Sequence, residues 1–439
     1  MPARMGELLD QLVDWLRIPS ISTGGGDPAD LERAAEWAAD HVRRAGGEAE
    51  LVQIGGGNPL VVGDLRAARA DAPTVLIYGH YDVQGVGSLA AWTSPPFEPE
   101  VRDGRIYARG AADDKGNFWP LLSAACDLAK QAELPVNVRV VVEGEEEAGS
   151  ETITEWVRAD QRGADAAIVF DSGMVDEQTP AITVGLRGMT MAQIEVRTGV
   201  RDLHSGIYGG SVLNALHVLH HMLAQVVPAP DGTLREELRA GIVAPAEAER
   251  ISWERLPPGE QVLSEVGGRP AYPGAAAEYY LRNGADASLE VNEIAGGEPR
   301  TLVPACARAT VSLRLAPGQR AAEIGPVLDG LLRDAAPAGA DVTMAWHHAD
   351  PSLFEPDLPA LVLGAQAIER ATGAAPALIR SGGSIPVVAE FAAREIPTIV
   401  SGFGLPDDAF HAPDESFRLE SLALGERTAR ELLTALAAL

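Results

Sequence analysis

Residues 74–83 read TVLIYGHYDV. Thr74 to Tyr78 form an unbroken apolar run of the length and composition found in strands covered on both faces. The run stops at Gly79, and His80 and Asp82 follow at once. The same order recurs along the chain. Val136 to Val142 (VNVRVVV) leads into Glu145, Glu146 and Glu147, Ala166 to Phe170 (AAIVF) leads into Asp171, and Thr398 to Val400 is followed shortly by His411. Helical spacing near 115–131, 150–160 and 358–371 separates these runs. Two amphipathic helices open the chain, one through Leu8, Leu12 and Leu16 and one through Leu31, Ala35 and Val42, with Gly46-Gly47 as a stop. Strands alternating with helices predict an α/β fold on a mainly parallel sheet covered on both sides. Ligands gather at the carboxyl ends of strands in such sheets, and every one of these exits carries an acid or an imidazole.

The middle of the chain has another texture. Ala307, Ala309, Val311, Leu313 and Leu315 alternate with Arg308, Thr310, Ser312 and Arg314, which describes a strand with one buried and one open face. Residues 189–197 (MTMAQIEVR) alternate similarly, 211–226 read as a strongly apolar helix, and 227–275, rich in Pro, Gly and Glu, read as a long excursion. The expected organisation is a discontinuous α/β domain, 1–183 and 350–439, with an α+β domain inserted at 184–349.

With 439 residues, 46% hydrophobic and 22% charged, the chain is too long for one ordinary core and has the composition of a folded protein. Its 63 acidic residues against 35 basic ones give a net charge of −28, which repels phosphate backbones and anionic headgroups and argues against nucleic acid or a membrane surface as a partner. Cys126 and Cys306 read as small buried hydrophobes rather than a disulfide. Acids interrupt the opening residues where a signal peptide needs an apolar core, so the expected location is cytoplasmic. His41 reads as an exposed helix residue, and His217 and His221, at i and i+4 on an apolar helix without a neighbouring HExxH glutamate, as core residues.

A further acidic pair, Asp113 and Asp114, lies in RGAADDKG, a glycine-flanked turn just before a helix. An isolated acid at a strand end is ordinarily a solvated loop residue. Acids and imidazoles at four exits together, with no thiolate among them, suit two divalent ions such as Zn²⁺, Mn²⁺ or Co²⁺.

The segments GHYDV (79–83), RGAADDKG (109–116), EGEEEAGS (143–150), FDSG (170–173), RDLHSGIYGG (201–210), RSGGSIPV (380–387) and FHAPDE (410–415) resemble, in order, the motifs of the M20 family of co-catalytic zinc peptidases. The similarity is strongest to the carnosinase-like, nonspecific dipeptidase branch and runs from about residue 5 to the C-terminus. It implies two divalent ions, zinc foremost with manganese or cobalt as alternatives: His80 and Asp171 on one, Glu147 and His411 on the other, and Asp113 bridging. It further implies a cis peptide between Asp113 and Asp114, Asp82 orienting the His80 ring, and Glu146 as general base. The triple glutamate leaves two registers, base and ligand at 146 and 147 or at 145 and 146. By the same resemblance His204 reaches across a homodimer interface to stabilise the oxyanion. Arg314 binds the substrate carboxylate with Thr301 as a neighbour, and His347 contacts substrate, its register left open by the adjacent His348. Gly383 and Ser384 cradle a carboxylate or carbonyl. Ser381 stands where the dipeptidases often have Glu, which puts recognition of a free α-amino group in question. The activity implied is metal-dependent hydrolysis of dipeptides or short peptides, with lid closure bringing Arg314 and the partner's His204 onto the substrate. Deacylation or desuccinylation of N-acyl amino acids is the alternative on the same ligands, and a metal-stabilised scaffold without chemistry is the rival of another class.

Overall fold

Thr74–His80, Asn137–Glu143, Ala166–Phe170 and Thr398–Ser401 are all strands, and the computed structural model, which describes residues 2–439, lays them in one sheet. The strand order is 48–52, 60–65, 137–143, 74–80, 166–170, 398–401 and 181–186. Thr74–His80 runs parallel to both neighbours, and Ala166–Phe170 runs parallel to Thr398–Ser401. The margins are antiparallel, with 48–52 on 60–65, 60–65 on 137–143, and Val400 opposite Thr183. The central strands are buried along almost their whole length, as their nearly continuous apolar runs require.

The chain divides into two compact units. The first comprises Met1–Val184, Phe354–Ile379 and Ile385–Leu439. Its opening helices form for local reasons: Leu8, Leu12, Trp15 and Leu16 make one buried stripe. Asp27 caps the helix Pro28–Arg44 by accepting from Ala29 N–H at 2.9 Å, Pro28 opens it, and Arg43 and Arg44 lie in its last turn. Trp15 stacks on Trp37 with ring centroids 4.6 Å apart, and Trp119 donates to Leu8 O at 2.9 Å. His41, expected at the surface, is instead buried. Its ring lies 3.9 Å from that of Trp37, its Nδ1 bonds Trp37 O at 2.8 Å, and burial lowers its pKa. A helix presents two flanks beside its apolar stripe, and only the position of Trp119 decides which one is covered.

The second unit comprises Gly185–Leu353 and Arg380–Ser384. Its antiparallel sheet has the order 288–296, 306–315, 188–197 and 341–349. Ala192, Ile194, Val196, Ala307, Ala309, Val311 and Leu313 point to one face and pack with residues of the helices Ala215–Leu223 and Ala321–Asp334. Met222 and Leu219 belong to this core, whereas His217, His220 and His221 are exposed, contrary to the expectation for 217 and 221. Arg380–Ser384, expected with the first domain, joins this unit because the buried Arg380 pairs with the buried Glu249 at 2.6 and 2.9 Å and Arg187 Nε donates to Gly382 O at 3.3 Å. Cys126 and Cys306 are unpaired, and among the described residues no helix is long and apolar enough to cross a membrane.

Candidate metal centre

Four strand exits of the first unit converge on one spot. Ligand atoms of His80, Asp113 and Asp171 lie within 4.8 Å of one another, and so do those of Asp113, Glu147 and His411. Asp113 belongs to both triads and turns one oxygen to each imidazole: Oδ1 is 3.0 Å from His80 Nε2, and Oδ2 is 2.9 Å from His411 Nε2. His411 Nε2 is also 3.2 Å from Glu147 Oε2.

Local packing aims each group. Gly79 is required beside His80 because a Cβ there would fall 2.2 Å from the Phe118 ring, and Gly144 is required because a Cβ would meet the Tyr81 ring at 2.2 Å. His80 Nδ1 faces Asp82, 3.0 Å from its carbonyl oxygen and 3.3 Å from Oδ1. A carbonyl only accepts, so Nδ1 carries the proton and Nε2 is the ligand atom. The Asp82 carboxylate also accepts from Ser22 Oγ at 2.5 Å, Glu146 N–H at 3.3 Å and Glu147 N–H at 3.2 Å, which fixes the turn carrying both glutamates. Glu145 is consumed elsewhere: its carboxylate accepts from Asn58 N–H at 2.8 Å and Thr152 N–H at 3.2 Å. Of the two registers, this geometry favours 146 and 147. His411 adopts a left-handed backbone conformation (φ 58°), at a cost of roughly 1–3 kcal/mol for a non-glycine residue. The peptide between Asp113 and Asp114 is cis.

The charges do not balance within the protein. Among the described residues no lysine or arginine pairs with Asp113, Glu146, Glu147 or Asp171. Burial, then the charges of neighbouring acids, push Asp171 and Asp114 well above the usual carboxylate range. Burial likewise pushes Glu146 up to about 7, against the opposing pull of His80 and with Asp113 and Glu147 adding to it. Burial would raise Asp113 too, but hydrogen bonds to His411 and His80 hold it below its ordinary value. Hydrogen bonds that its ring donates to the carboxylates of Asp113 and Glu147 raise His411 to about 10. Glu147 Oε1 is buried without a hydrogen-bond partner, a state that costs about 1–3 kcal/mol or more unless something absent here satisfies it. An excess of buried carboxylate, an orphaned oxygen and two oriented imidazoles fit a pair of divalent cations.

Several supporting residues were not legible in the sequence. Glu415 accepts from Ala112 N–H at 2.8 Å, Asp113 N–H at 3.1 Å and Gly110 N–H at 3.0 Å, and pairs with Arg109 at 2.7 Å, all fully or nearly buried. It thereby clamps the loop that carries Asp113. Asn117 ties two strand exits, donating to Ser172 O at 2.8 Å and accepting from Phe403 N–H at 2.9 Å. Gln84 donates to Glu147 Oε2 at 2.9 Å. Only the presence of Arg109 and Glu415 inside quoted motifs hinted at the first of these.

The remaining candidates lie in the second unit. His204 is exposed, and its Nδ1 accepts from Gly206 N–H at 3.0 Å, so Nε2 is the protonated nitrogen of the neutral ring. His204 pairs with Leu302, and Thr301 O accepts from Ser205 N–H at 2.9 Å. Thr301 therefore neighbours His204 and not Arg314, as had been expected. It precedes the strand Cys306–Leu315, and the eight steps from Cys306 to Arg314 span about 27 Å at the usual strand rise. Strand register puts Arg314 opposite Met189 and His347 opposite Met191, so both arginine and histidine belong to the open face of the sheet. Gly383 N–H already donates to Ser381 Oγ at 3.2 Å, which leaves Ser384 as the freer donor of that loop.

The chain is similar to known proteins along most of its length. The chain is 28% identical over 413 residues to a cysteinylglycine-S-conjugate dipeptidase of Corynebacterium striatum, covering 90% of this chain and 88% of that one. It is 26% identical over 444 residues to the Beta-Ala-His dipeptidase of Homo sapiens, covering 93% and 86%. Its structure is similar to that of an M20 family metallo-carboxypeptidase from Sulfolobus solfataricus, with a TM-score of 0.86 at 25% identity over 99% of this chain and 100% of that one. The model of peptidase family M20/M25/M40 matches residues 76–435, and the chain belongs to that family.

Proposed function

We propose that the protein is a metal-dependent dipeptidase, and the observation that carries this reading is the pair of ligand triads sharing Asp113. His80 and Asp171 would hold one ion, Glu147 and His411 the other, and Asp113 both. Bound there, two divalent ions, zinc foremost, supply Lewis-acid polarisation of the scissile carbonyl and lower the pKa of water. Glu146, beside the triads yet in neither, takes the proton of the attacking water and delivers it to the leaving nitrogen. Asp82 keeps the His80 tautomer and the 146–147 turn in place. Arg314 offers the substrate carboxylate a bidentate partner, and His347 and Ser384 make further substrate contacts. The names of the relatives support dipeptides as the substrate class.

Chelation should abolish hydrolysis of Ala-Ala-type dipeptides, and Zn²⁺, Mn²⁺ or Co²⁺ should restore it, followed by amine release and metal analysis. Turnover of N-acetyl or N-succinyl amino acids in place of dipeptides would assign the site to deacylation instead.

The reading includes a homodimer. His204 and Thr301 stand at the opposite end of a ten-residue strand from Arg314, so one copy cannot bring all three to one small substrate, whereas two copies can. Val200, Ile207, Tyr208 and Val212, all exposed apolar residues, surround His204 in sequence, as an interface would use. Mixing inactive His204→Ala and Glu146→Gln proteins under subunit exchange should restore up to about a quarter of wild-type activity, since half the dimers then hold one intact site. No recovery in a mixture shown by sedimentation to contain dimers would place His204 outside the partner's site.

A further inference from the structure

The two triads share Asp113 but are steadied by different groups. On the first, Asp82 faces Nδ1 of His80. On the second, Gln84 Nε2 stands 2.9 Å from Glu147 Oε2. An ionised carboxylate only accepts, so the atom that Gln84 turns to it is the amide nitrogen. The Glu147 side chain is 3% exposed, its Oε1 has no hydrogen-bond partner, and Oε2 has one other partner among the described residues, His411 Nε2 at 3.2 Å. The main chain of Glu147 is held separately, by the bond from its N–H to Asp82 Oδ2.

The backbone on either side of Gln84 is pinned. Val83 N–H donates to Ser20 O at 2.9 Å, and Val83 O accepts from Ser22 N–H at 3.3 Å. Gly85 N–H donates to Thr23 Oγ1 at 2.9 Å, and Gly85 O accepts from Arg109 Nη2 at 3.2 Å. A half-buried glutamine on so fixed a stretch loses little further freedom in reaching one carboxylate. Its chemistry matters as much as its place. A lysine or arginine here would neutralise Glu147 and repel a cation, and an ionised acid would offer no donor. The neutral amide orients the carboxylate and leaves its charge for the ion. Once His411 Nε2 gives its lone pair to an ion it donates nothing to Oε2, and Gln84 is then the one donor left to that carboxylate among the described residues.

We infer that Gln84 is a positioning residue for the ion held by Glu147 and His411, and not for the ion held by His80 and Asp171, so that the two ions of the pair answer to different supports. The inference rests on the reading of the two triads as a two-ion site. Partners of this kind, which touch a ligand and not the metal, change metal affinity by about 10- to 100-fold when they are removed.

For the test, the full-length protein is stripped of metal and dialysed against Zn²⁺ buffered by a chelator over a range of free concentrations, and bound zinc is counted by metal analysis. Wild type should take up two ions per chain. Gln84→Met, similar in length but without a donor, should take up one ion as wild type does and the other only at about 10- to 100-fold higher free Zn²⁺. Glu147→Ala should weaken the same uptake step, and adding Gln84→Met to it should weaken that step no further, since the contact is already gone. Raising free Zn²⁺ should bring the dipeptidase kcat of Gln84→Met back to within a few-fold of wild type, which a general loss of structure would not allow. Two ions taken up by Gln84→Met at wild-type concentrations, or both steps weakened alike, overturns the inference while the two-ion reading stands. Fewer than two ions in wild type at every concentration removes that reading and the inference with it.

Discussion

Glu146→Gln is expected to lower kcat on a dipeptide by about a thousand- to ten-thousand-fold, the upper range for loss of a general base, with metal content unchanged. The amide keeps the volume and planarity of the carboxylate, so packing around the 146–148 turn survives. Glu146 is in neither ligand triad, so neither ion loses a ligand. What goes is the only acidic group on that turn left for proton transfer, since Glu145 is bonded to Asn58 and Thr152 and Glu147 faces His411. Burial raises the Glu146 carboxyl above its ordinary value, the direction that suits a group that must both take and return a proton. Glu145→Gln should by contrast leave kcat within a few-fold. Steady-state kinetics paired with metal analysis checks both, and a Glu146→Gln protein that keeps both its metal and more than a tenth of its kcat would remove Glu146 from the chemistry.

Glu415→Ala should destabilise the protein by about 3–5 kcal/mol, because it strands the buried Arg109 charge, and should cut activity as well. The same carboxylate holds the N–H groups of Gly110, Ala112 and Asp113, so its loss frees the loop that aims the shared ligand. Glu415→Gln keeps one oxygen and the side-chain volume and should lose less. Urea unfolding together with metal affinity separates the two effects. Full stability with normal metal affinity in Glu415→Ala would show that the loop holds Asp113 unaided.

His80, Asp171 and the glutamate run could be found from sequence because each follows a nearly continuous apolar strand, and parallel strands bring their carboxyl ends to one edge whatever their order. The chemistry of the set, imidazole and carboxylate without thiolate, then narrows the metal class. Choosing between Glu145 and Glu147 lay beyond that reasoning. Side-chain direction in a turn depends on which distant N–H groups claim each carboxylate, here Asn58 and Thr152 for Glu145. Glu415 escaped notice for the same reason, since its four partners lie some three hundred residues away in sequence.

Periodicity likewise fixed which strands are buried and which are one-sided, but not what covers a flank. His41 faces Trp37 and Trp119, and His217 and His221 lie outside the core that their helix helps to build. Thr301 and Arg314 look close along the chain, yet an extended strand separates them. The sequence by itself determined the strands, the sheet edge at which they deliver their acids and imidazoles, and the class of ion that such groups suit, because these follow from local pattern and side-chain chemistry. Only the tertiary structure decided which glutamate joins the cluster, what clamps Asp113, and what holds the Glu147 carboxylate, because each depends on contacts between residues that no local pattern links.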